Sequence, residues 1–282
     1  PRWKLPVLAE VRGVFMKKLF CCLILFMTAL LCFADEKFEK VKAAAEQGDA
    51  FAQFSLAVMY DKGIEALVDK KQAVYWYTKS AEQGYDMAQL FLAVMYYNGE
   101  GTLADKKQAF YWYKKAAEKE NALAQFAIAL MYYNGEGSLV DKKQAFYWYT
   151  KAAEKGYADA QFSLAVMYYN GEGTLVDKKQ AFYWYTKAAE KGNAGAQFNL
   201  AVMYYNGEGI LVDKKQAFYW YTKAAEQGDA AAQLNLALMY YAGEGTLPDK
   251  IKAAYWVKQA YENGLDKAKE FWETYELWKY QE

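Results

Sequence analysis

The side chains of this sequence that could do chemistry recur at a fixed interval of 36 residues. One glutamate lies between two glycines in five loops, at Glu100, Glu136, Glu172, Glu208 and Glu244. Because successive glutamates are a whole interval apart, two of them cannot serve one substrate as acid and base. The Gly-Glu-Gly loops also follow no strand pattern and have no lysine at the required spacing, so they make weak phosphate-binding candidates. These glutamates therefore predict no catalytic centre.

Other side chains that enzymes use are rare in this sequence. It has no histidine, and its three cysteines, Cys21, Cys22 and Cys32, lie in one apolar run. Histidine is the commonest general base and a frequent metal ligand. We therefore expect a protein that is not an enzyme and that holds no cofactor and no metal.

Asparagine side chains could instead bind a ligand through hydrogen bonds. They stand immediately before a loop glycine at Asn98, Asn134, Asn170 and Asn206. Such a ladder of amides could hold the backbone of an extended peptide. Asparagine before glycine is also ordinary helix-ending chemistry, and this simpler explanation is the more common one.

The 36-residue interval also predicts the secondary structure that carries these residues. A period of this size marks one supersecondary unit that buries its apolar face by stacking on its neighbours. In the unit from Tyr157 to Gly192, one helical pattern ends at Asn170-Gly171 and a second begins at the capping residue Asp177. The sequence thus predicts an all-α fold in which a helix A and a helix B form an antiparallel hairpin in every repeat.

The residue pattern of this unit resembles the Sel-1-like repeat, a relative of the tetratricopeptide repeat. The matching residues include Ala160-Gln161, Leu164-Ala165, Gly171-Glu172-Gly173, Asp177 and Trp184-Tyr185, and the resemblance covers about residues 36–282. It implies an α-solenoid with a right-handed superhelix, and adaptor, signalling or host-interaction roles in an exported bacterial protein. Some secreted members carry a disulfide in every repeat, whereas this repeat region has no cysteine.

Two residues depart from the family pattern in places where backbone shape matters. Glu65 stands where the later loops have their second glycine, so we expect a different turn in repeat one. Glu120 replaces the glycine after helix B, which leaves the join between repeats two and three the least well specified.

The resemblance and the flanking sequence together predict the domain organisation. Met16-Lys17-Lys18 and the apolar run from Leu19 to Phe33 indicate a Sec signal peptide with cleavage after Ala34. Residues 1–15 look like upstream translation or a cloning remnant. The predicted parts are a signal peptide at 16–34, a cap helix at 35–48, repeats at 49–84, 85–120, 121–156, 157–192, 193–228 and 229–264, and a capping helix at 265–282.

The balance of charged residues limits the classes of partner that this protein is expected to bind. With 34 basic and 34 acidic residues, the chain lacks the basic excess of nucleic-acid-binding proteins. We expect a periplasmic or secreted monomer that binds a protein or peptide, or cell-wall material. It would contact a membrane only if the signal segment stayed uncleaved, as a tethered scaffold.

The face of helix A opposite its packed side is the predicted binding surface. In repeat two this stripe is Met87, Phe91, Val94 and Asn98. Two of its positions vary between repeats: the first includes Phe51, Met87, Leu123 and Asp159, and the second includes Phe91, Ser163, Asn199 and Asn235. The sequence suggests a groove that is apolar in repeats one to three and amide-lined in repeats four to six, unless the variation is drift on a solvated face.

One enzymatic alternative comes from the resemblance, since some secreted members have been linked to β-lactam binding and hydrolysis. That chemistry uses a serine activated within Ser-x-x-Lys, together with Lys-Thr-Gly. The sequence contains neither motif, so binding is the favoured function.

Overall fold

The computed structural model describes residues 37–280, which form two compact units divided after residue 115. Within this part of the chain every regular element is helical. Each repeat contributes two helices of 13 residues. Helix A is α2 Ala50–Lys62, α4 Asp86–Asn98, α6 Ala122–Asn134, α8 Ala158–Asn170, α10 Ala194–Asn206 and α12 Ala230–Ala242. Helix B is α3 Lys70–Glu82, α5 Lys106–Glu118, α7 Lys142–Glu154, α9 Lys178–Glu190, α11 Lys214–Glu226 and α13 Lys250–Glu262.

The helix ends lie where the capping residues predict them. Asp177 accepts hydrogen bonds from the backbone N–H groups of Lys179 and Gln180, both at 3.0 Å, and so caps the start of α9. Gly171 has a φ of 74° and donates its N–H to the carbonyl of Met167 at 2.9 Å, which ends α8. The same two devices recur along the chain, so loop geometry hardly varies between repeats.

Each repeat is an antiparallel hairpin. In repeat one the N–H of Asp69, before helix B, reaches the carbonyl of Tyr60 near the end of helix A at 2.9 Å. At the opposite end of the hairpin, the Ser80 hydroxyl donates to the carbonyl of Ala50 at 2.7 Å. Helices that follow one another in the chain pack together from α2 to α4 in the first unit and from α6 to α13 in the second. The predicted all-α solenoid is confirmed.

Small and large side chains interlock between neighbouring repeats. One buried cluster joins Ala181 and Tyr185 of α9 to Leu200 and Met203 of α10. Phe182 meets Tyr204 of the next repeat edge to face, with ring centroids 5.1 Å apart. Alanines therefore let the helices approach while aromatic rings fill the spaces between repeats.

The two departures from the glycine pattern keep the glycine conformation. Glu65 has a φ of 56° and Glu120 a φ of 66°, both left-handed, beside 70° at Gly101 and 86° at Gly156. The expectation of a different turn in repeat one was wrong, because the loop hydrogen bonds impose the same backbone on whichever residue stands there. A side chain in this conformation costs about 1–2 kcal/mol.

The ends of the described chain are short helices. Helix α1 covers residues 37–46. At the other end, α14 Lys267–Thr274 is followed by a 3₁₀ turn, η1 Leu277–Tyr280, rather than by one continuous helix. Glu276 between them has a φ of 50°, which a continuing α-helix cannot adopt. Residues 1–15 and the predicted signal peptide at 16–34 lie outside the described residues.

Candidate binding groove

The second varying position of helix A faces a tyrosine from helix B of the preceding repeat. In repeat four Ser163 forms a hydrogen bond with Tyr149, and in repeat five Asn199 forms one with Tyr185. In repeat two the position holds Phe91, whose ring stacks on Tyr77 at a centroid distance of 5.7 Å and an interplanar angle of 13°. In repeats four and five the residue at this position thus gives the buried hydroxyl a polar partner, whereas in repeat two it gives an aromatic one.

These tyrosines are almost fully buried, which changes their acidity. Burial raises the pKa of Tyr149 to about 12, although the hydrogen bond with Ser163 works in the opposite direction. Burial also raises the pKa of Tyr77, whose hydroxyl has no hydrogen-bond partner within the described residues. All of them stay neutral at physiological pH and act as fixed donors or acceptors rather than as bases.

A cavity of about 270 Å³ opens between repeats four and five on the helix A side. Its lining residues are Val166, Tyr169, Asn170, Tyr185, Asn199, Val202 and Met203. Four of these, Val166, Asn170, Asn199 and Val202, are positions of the stripe predicted from the sequence. The structure therefore brings together two amide side chains and two valines from different repeats.

The loop side of this cavity is fixed by contacts between repeats. The Tyr169 hydroxyl donates to Glu208 at 2.5 Å, and the Lys178 ammonium reaches the same carboxylate at 2.9 Å. This ammonium also lies 4.8 Å from the centre of the Tyr169 ring. The hydrogen bond with Glu208 raises the pKa of Tyr169, and Lys178 and Tyr169 together lower the pKa of Glu208. The loop glutamate thus ties one repeat to the one before it.

This arrangement recurs, and sequence reasoning missed it. Tyr205 donates to Glu244 at 2.5 Å, and Lys214 lies 3.6 Å from the same carboxylate. In the sequence, the first lysine after each capping aspartate looks like an ordinary solvated charge. Its partner lies 30 residues ahead, a spacing that no pattern within one repeat reveals.

In repeat one an aspartate takes the place of the tyrosine. Asp61 is buried, and its carboxylate pairs with Lys70 at 2.5 Å and with Lys62 at 2.8 Å. Lys70 also pairs with Glu100 at 2.8 Å. Burial alone would raise the pKa of Asp61, but the hydrogen bonds from the two lysines lower it. Repeats one and two are therefore joined through charge instead of through a phenol.

The asparagine ladder is exposed and partly occupied by its own loops. Asn98 donates to Glu100 at 3.2 Å, and Asn206 hydrogen-bonds Glu208. Asn134 and Asn170 are also exposed at the ends of their helices. Each asparagine precedes a left-handed glycine, so the helix-ending role is present whether or not a ligand binds.

The predicted residues of the 37–115 unit lie on an aromatic surface. Phe51 is exposed and meets Tyr85 edge to face at 6.2 Å. Phe91 packs against the buried core of the unit and is only half-buried, as are Met87 and Val94. Phe91 is thus partly a packing residue.

The remaining predicted residues belong to the 116–280 unit. Leu123 and Asp159 are exposed, and Asn193 of the next repeat donates to Asp159 at 3.0 Å. Asn235 is half-buried on α12. These three residues do not line the cavity between repeats four and five.

The site offers hydrogen bonds and apolar contacts. Among residues 37–280 no group of histidine, cysteine, aspartate or glutamate side chains is arranged to hold a metal ion. In the same part of the chain, no helix has the length and apolarity needed to cross a bilayer. Amides, tyrosine hydroxyls and valines in a shallow cavity are suited to recognition of another molecule.

Comparison with known proteins identifies the family. The Sel1 repeat model matches six successive segments, 50–85, 86–121, 122–157, 158–193, 194–229 and 230–265. The chain is a Sel1 repeat protein. The matched segments start one residue later than the repeats defined from the sequence, a different choice of starting point within the same period. Sel1 repeat proteins generally act as protein-interaction scaffolds without catalytic activity.

Two solved Sel1 repeat structures show the same fold. A protective antigen of uropathogenic Escherichia coli with an SLR fold is 40% identical, with a TM-score of 0.78. The match covers 82% of this chain and 50% of the antigen, so this chain spans about half of that protein's length. A Sel1 repeat protein from Oxalobacter formigenes is 31% identical with a TM-score of 0.59, and the match covers 85% of this chain and 80% of that one. No curated protein sequence matches this chain.

Proposed function

We propose that this Sel1 repeat protein is an exported, non-catalytic scaffold that binds a protein or peptide partner on its helix A surface. The observation that carries the proposal is the cavity between repeats four and five, where Asn170, Asn199 and Tyr185 converge beside Val166 and Val202. Export is supported by the basic start and apolar run within residues 16–34.

The chemistry of the cavity favours a peptide. An asparagine amide both donates and accepts hydrogen bonds, which is what the backbone of an extended peptide requires. Asn199 forms a hydrogen bond with Tyr185, which limits the orientations of its amide. The two valines provide an apolar wall for one side chain of the partner.

The volume of the cavity also favours a peptide ligand. At about 270 Å³ it is smaller than typical small-molecule sites, which occupy about 300–1,000 Å³. It can take a single side chain of a longer ligand more readily than a whole cofactor. Two other stripe positions of the unit, Leu123 and Asp159, would then contact residues further along the partner.

Variants copied from other repeats test this proposal. Asn199→Phe introduces the residue that repeat two has at this position, which would fill the cavity while keeping a ring against Tyr185. Asn170→Ala removes the exposed amide at the rim. Asn134→Ala is the matched control, because it makes the same change at the same position of a repeat outside the cavity.

A displayed peptide library selected on the protein would supply ligands, and calorimetry would give their affinities. We expect Asn170→Ala to weaken a selected peptide about fivefold, the value of one hydrogen bond, and Asn199→Phe to weaken it more strongly. Asn134→Ala should leave the affinity unchanged. Equal affinity in all three variants would place the binding surface elsewhere. Separately, N-terminal sequencing of the exported protein should begin at Asp35, and a start before residue 19 would mean a retained tether.

A further inference from the structure

One leucine stands at the tip of every loop between helix A and helix B. In the 116–280 unit these are Leu139, Leu175, Leu211 and Leu247, here called the leucine edge. Their exposed fractions are 89%, 87%, 86% and 83%. The 37–115 unit has Leu67 and Leu103 at the same position, exposed by 91% and 87%.

Folding does not account for these leucines. Other positions that hold one residue type in all six repeats, such as the capping aspartates, do so because they make defined contacts. The leucine is also the same in all six, yet its side chain is almost wholly in water. The residues on either side of it do vary: Ser138 and Val140 in one repeat correspond to Thr246 and Pro248 in another. Single exposed leucines are ordinary, whereas a repeated set at one position indicates a surface.

The loops lie along one side of the unit because each packs on the repeat before it. A Cβ atom on Gly173 would meet the carbonyl oxygen of Lys142 at 2.2 Å, and one on Gly209 would meet that of Lys178 at 2.4 Å. The loops of Gly173, Gly209 and Gly245 thus rest on the start of the preceding helix B. The leucines two residues after these glycines are placed at regular steps along the same edge.

Some charged residues beside the leucines have a partner within the protein, and others do not. The loop glutamates pair with the first lysine of the preceding helix B, as in Lys178–Glu208 at 2.9 Å. The capping aspartates accept backbone hydrogen bonds, as Asp177 does. The second lysines, Lys143 and Lys179, are exposed and have no ion pair within the described residues. Lys215 is placed in the same way.

We propose that the leucine edge docks on an anionic phospholipid surface. The leucines would enter the boundary between headgroups and acyl chains, and Lys143, Lys179 and Lys215 would reach the lipid phosphates. Side chains exposed by more than four-fifths form a ridge of protruding tips, with no concave wall around them. A bilayer accepts such tips without matching pockets, whereas a folded protein would need one pocket for each leucine.

The test compares three variants of the full chain. The four-leucine variant carries Leu139→Ser, Leu175→Ser, Leu211→Ser and Leu247→Ser. A control carries Tyr147→Ser, Tyr183→Ser and Tyr219→Ser, which also replace exposed apolar residues but lie on helix B. A third variant carries Lys143→Gln, Lys179→Gln and Lys215→Gln. Circular dichroism should show unchanged helix content in the leucine and lysine variants, because none of those side chains packs in the fold.

Hydrogen–deuterium exchange of the loop peptides is the readout. It reports on the leucine edge alone, so lipid contact elsewhere in the chain does not affect it. With vesicles of equal parts phosphatidylglycerol and phosphatidylcholine, we expect slower exchange at residues 171–177 and 207–213 in the wild type and in the tyrosine control. Burying one leucine strengthens binding about tenfold, so the four-leucine variant should show no protection. The lysine variant should bind about fivefold more weakly for each lysine removed.

Loops that exchange equally with and without these vesicles would overturn the proposal. Two alternative occupants would appear as distinct outcomes. A dimer seen by sedimentation in the absence of lipid, lost in the four-leucine variant, would make the edge an interface between two copies. Protection by the peptide ligands selected above, with none by vesicles, would make it part of a protein-binding surface. Either result refutes lipid docking and leaves the proposed groove to be judged on its own variants.

Discussion

Replacing Gly173 with alanine should push two neighbouring repeats apart. Gly173 has a φ of 69°, and a Cβ atom added to it would lie 2.2 Å from the carbonyl oxygen of Lys142 and 2.6 Å from its carbon. Both atoms belong to backbone at the start of α7, so no flexible side chain can move aside. An ordinary carbon–oxygen contact needs about 3.3 Å, so the loop must move by about 1 Å.

The expected loss of stability has two parts. A side chain in the left-handed region costs about 1–2 kcal/mol. Forcing an extra carbon into a close-packed contact costs about 1–3 kcal/mol more. The variant should therefore lose about 2–5 kcal/mol of unfolding free energy, and the contact between Lys142 and Glu172, at 3.5 Å, should open.

Gly192→Ala separates the two parts. Gly192 has a φ of 88°, and a Cβ atom there would have no other atom within 4 Å. This variant pays only the backbone cost of about 1–2 kcal/mol. Urea denaturation followed by circular dichroism would compare both variants with the wild type, with the slopes checked for equality. Equal losses in the two variants would refute the reasoning, because they would show that the Lys142 backbone yields without cost.

Three further predictions concern single side chains. Glu120→Gly should raise the unfolding free energy by about 1 kcal/mol because glycine relieves a positive φ; an unchanged urea midpoint would contradict this. The folded-state pKa values of Asp61 and Glu100 are lowered, so their stabilising pairing with Lys70 is complete above their ordinary pKa values and is lost as pH falls below about 4. Lys70→Met should therefore be less stable at neutral pH and lose less on acidification, which pH-dependent thermal melts would show. Tyr169→Phe should cost about 1 kcal/mol, measured in urea, because it removes a hydroxyl that bonds the next loop; a neutral result would mean that Lys178 alone suffices.

Local features of the fold were predictable because their causes lie within a few residues. Asp177 caps a helix and Gly171 ends one through contacts that span three or four positions. The sequence of a single repeat therefore predicts both helices and the turn between them. The C-terminal segment was less regular than predicted, since the left-handed Glu276 interrupts an apparently amphipathic helix.

Parts of the candidate site could be located but not interpreted from sequence. Comparison of repeats at equal position picked out Ser163 and Asn199 as variable. It could not show that each faces a buried tyrosine of the preceding repeat, because those partners lie 14 residues earlier across a helix–helix interface. The pairing of Lys178 with Glu208 was missed for the same reason.

The sequence alone determined the period, the two helices of each repeat and the family. Repetition can be recognised by comparing residue types, and helix capping depends on residues only a few positions apart. Tertiary structure decided which side chains meet between repeats and which remain in water. Leu175 illustrates the difference: its apolar side chain gives no sign in the sequence of being exposed, since exposure depends on neighbours that only the stacked repeats supply or withhold.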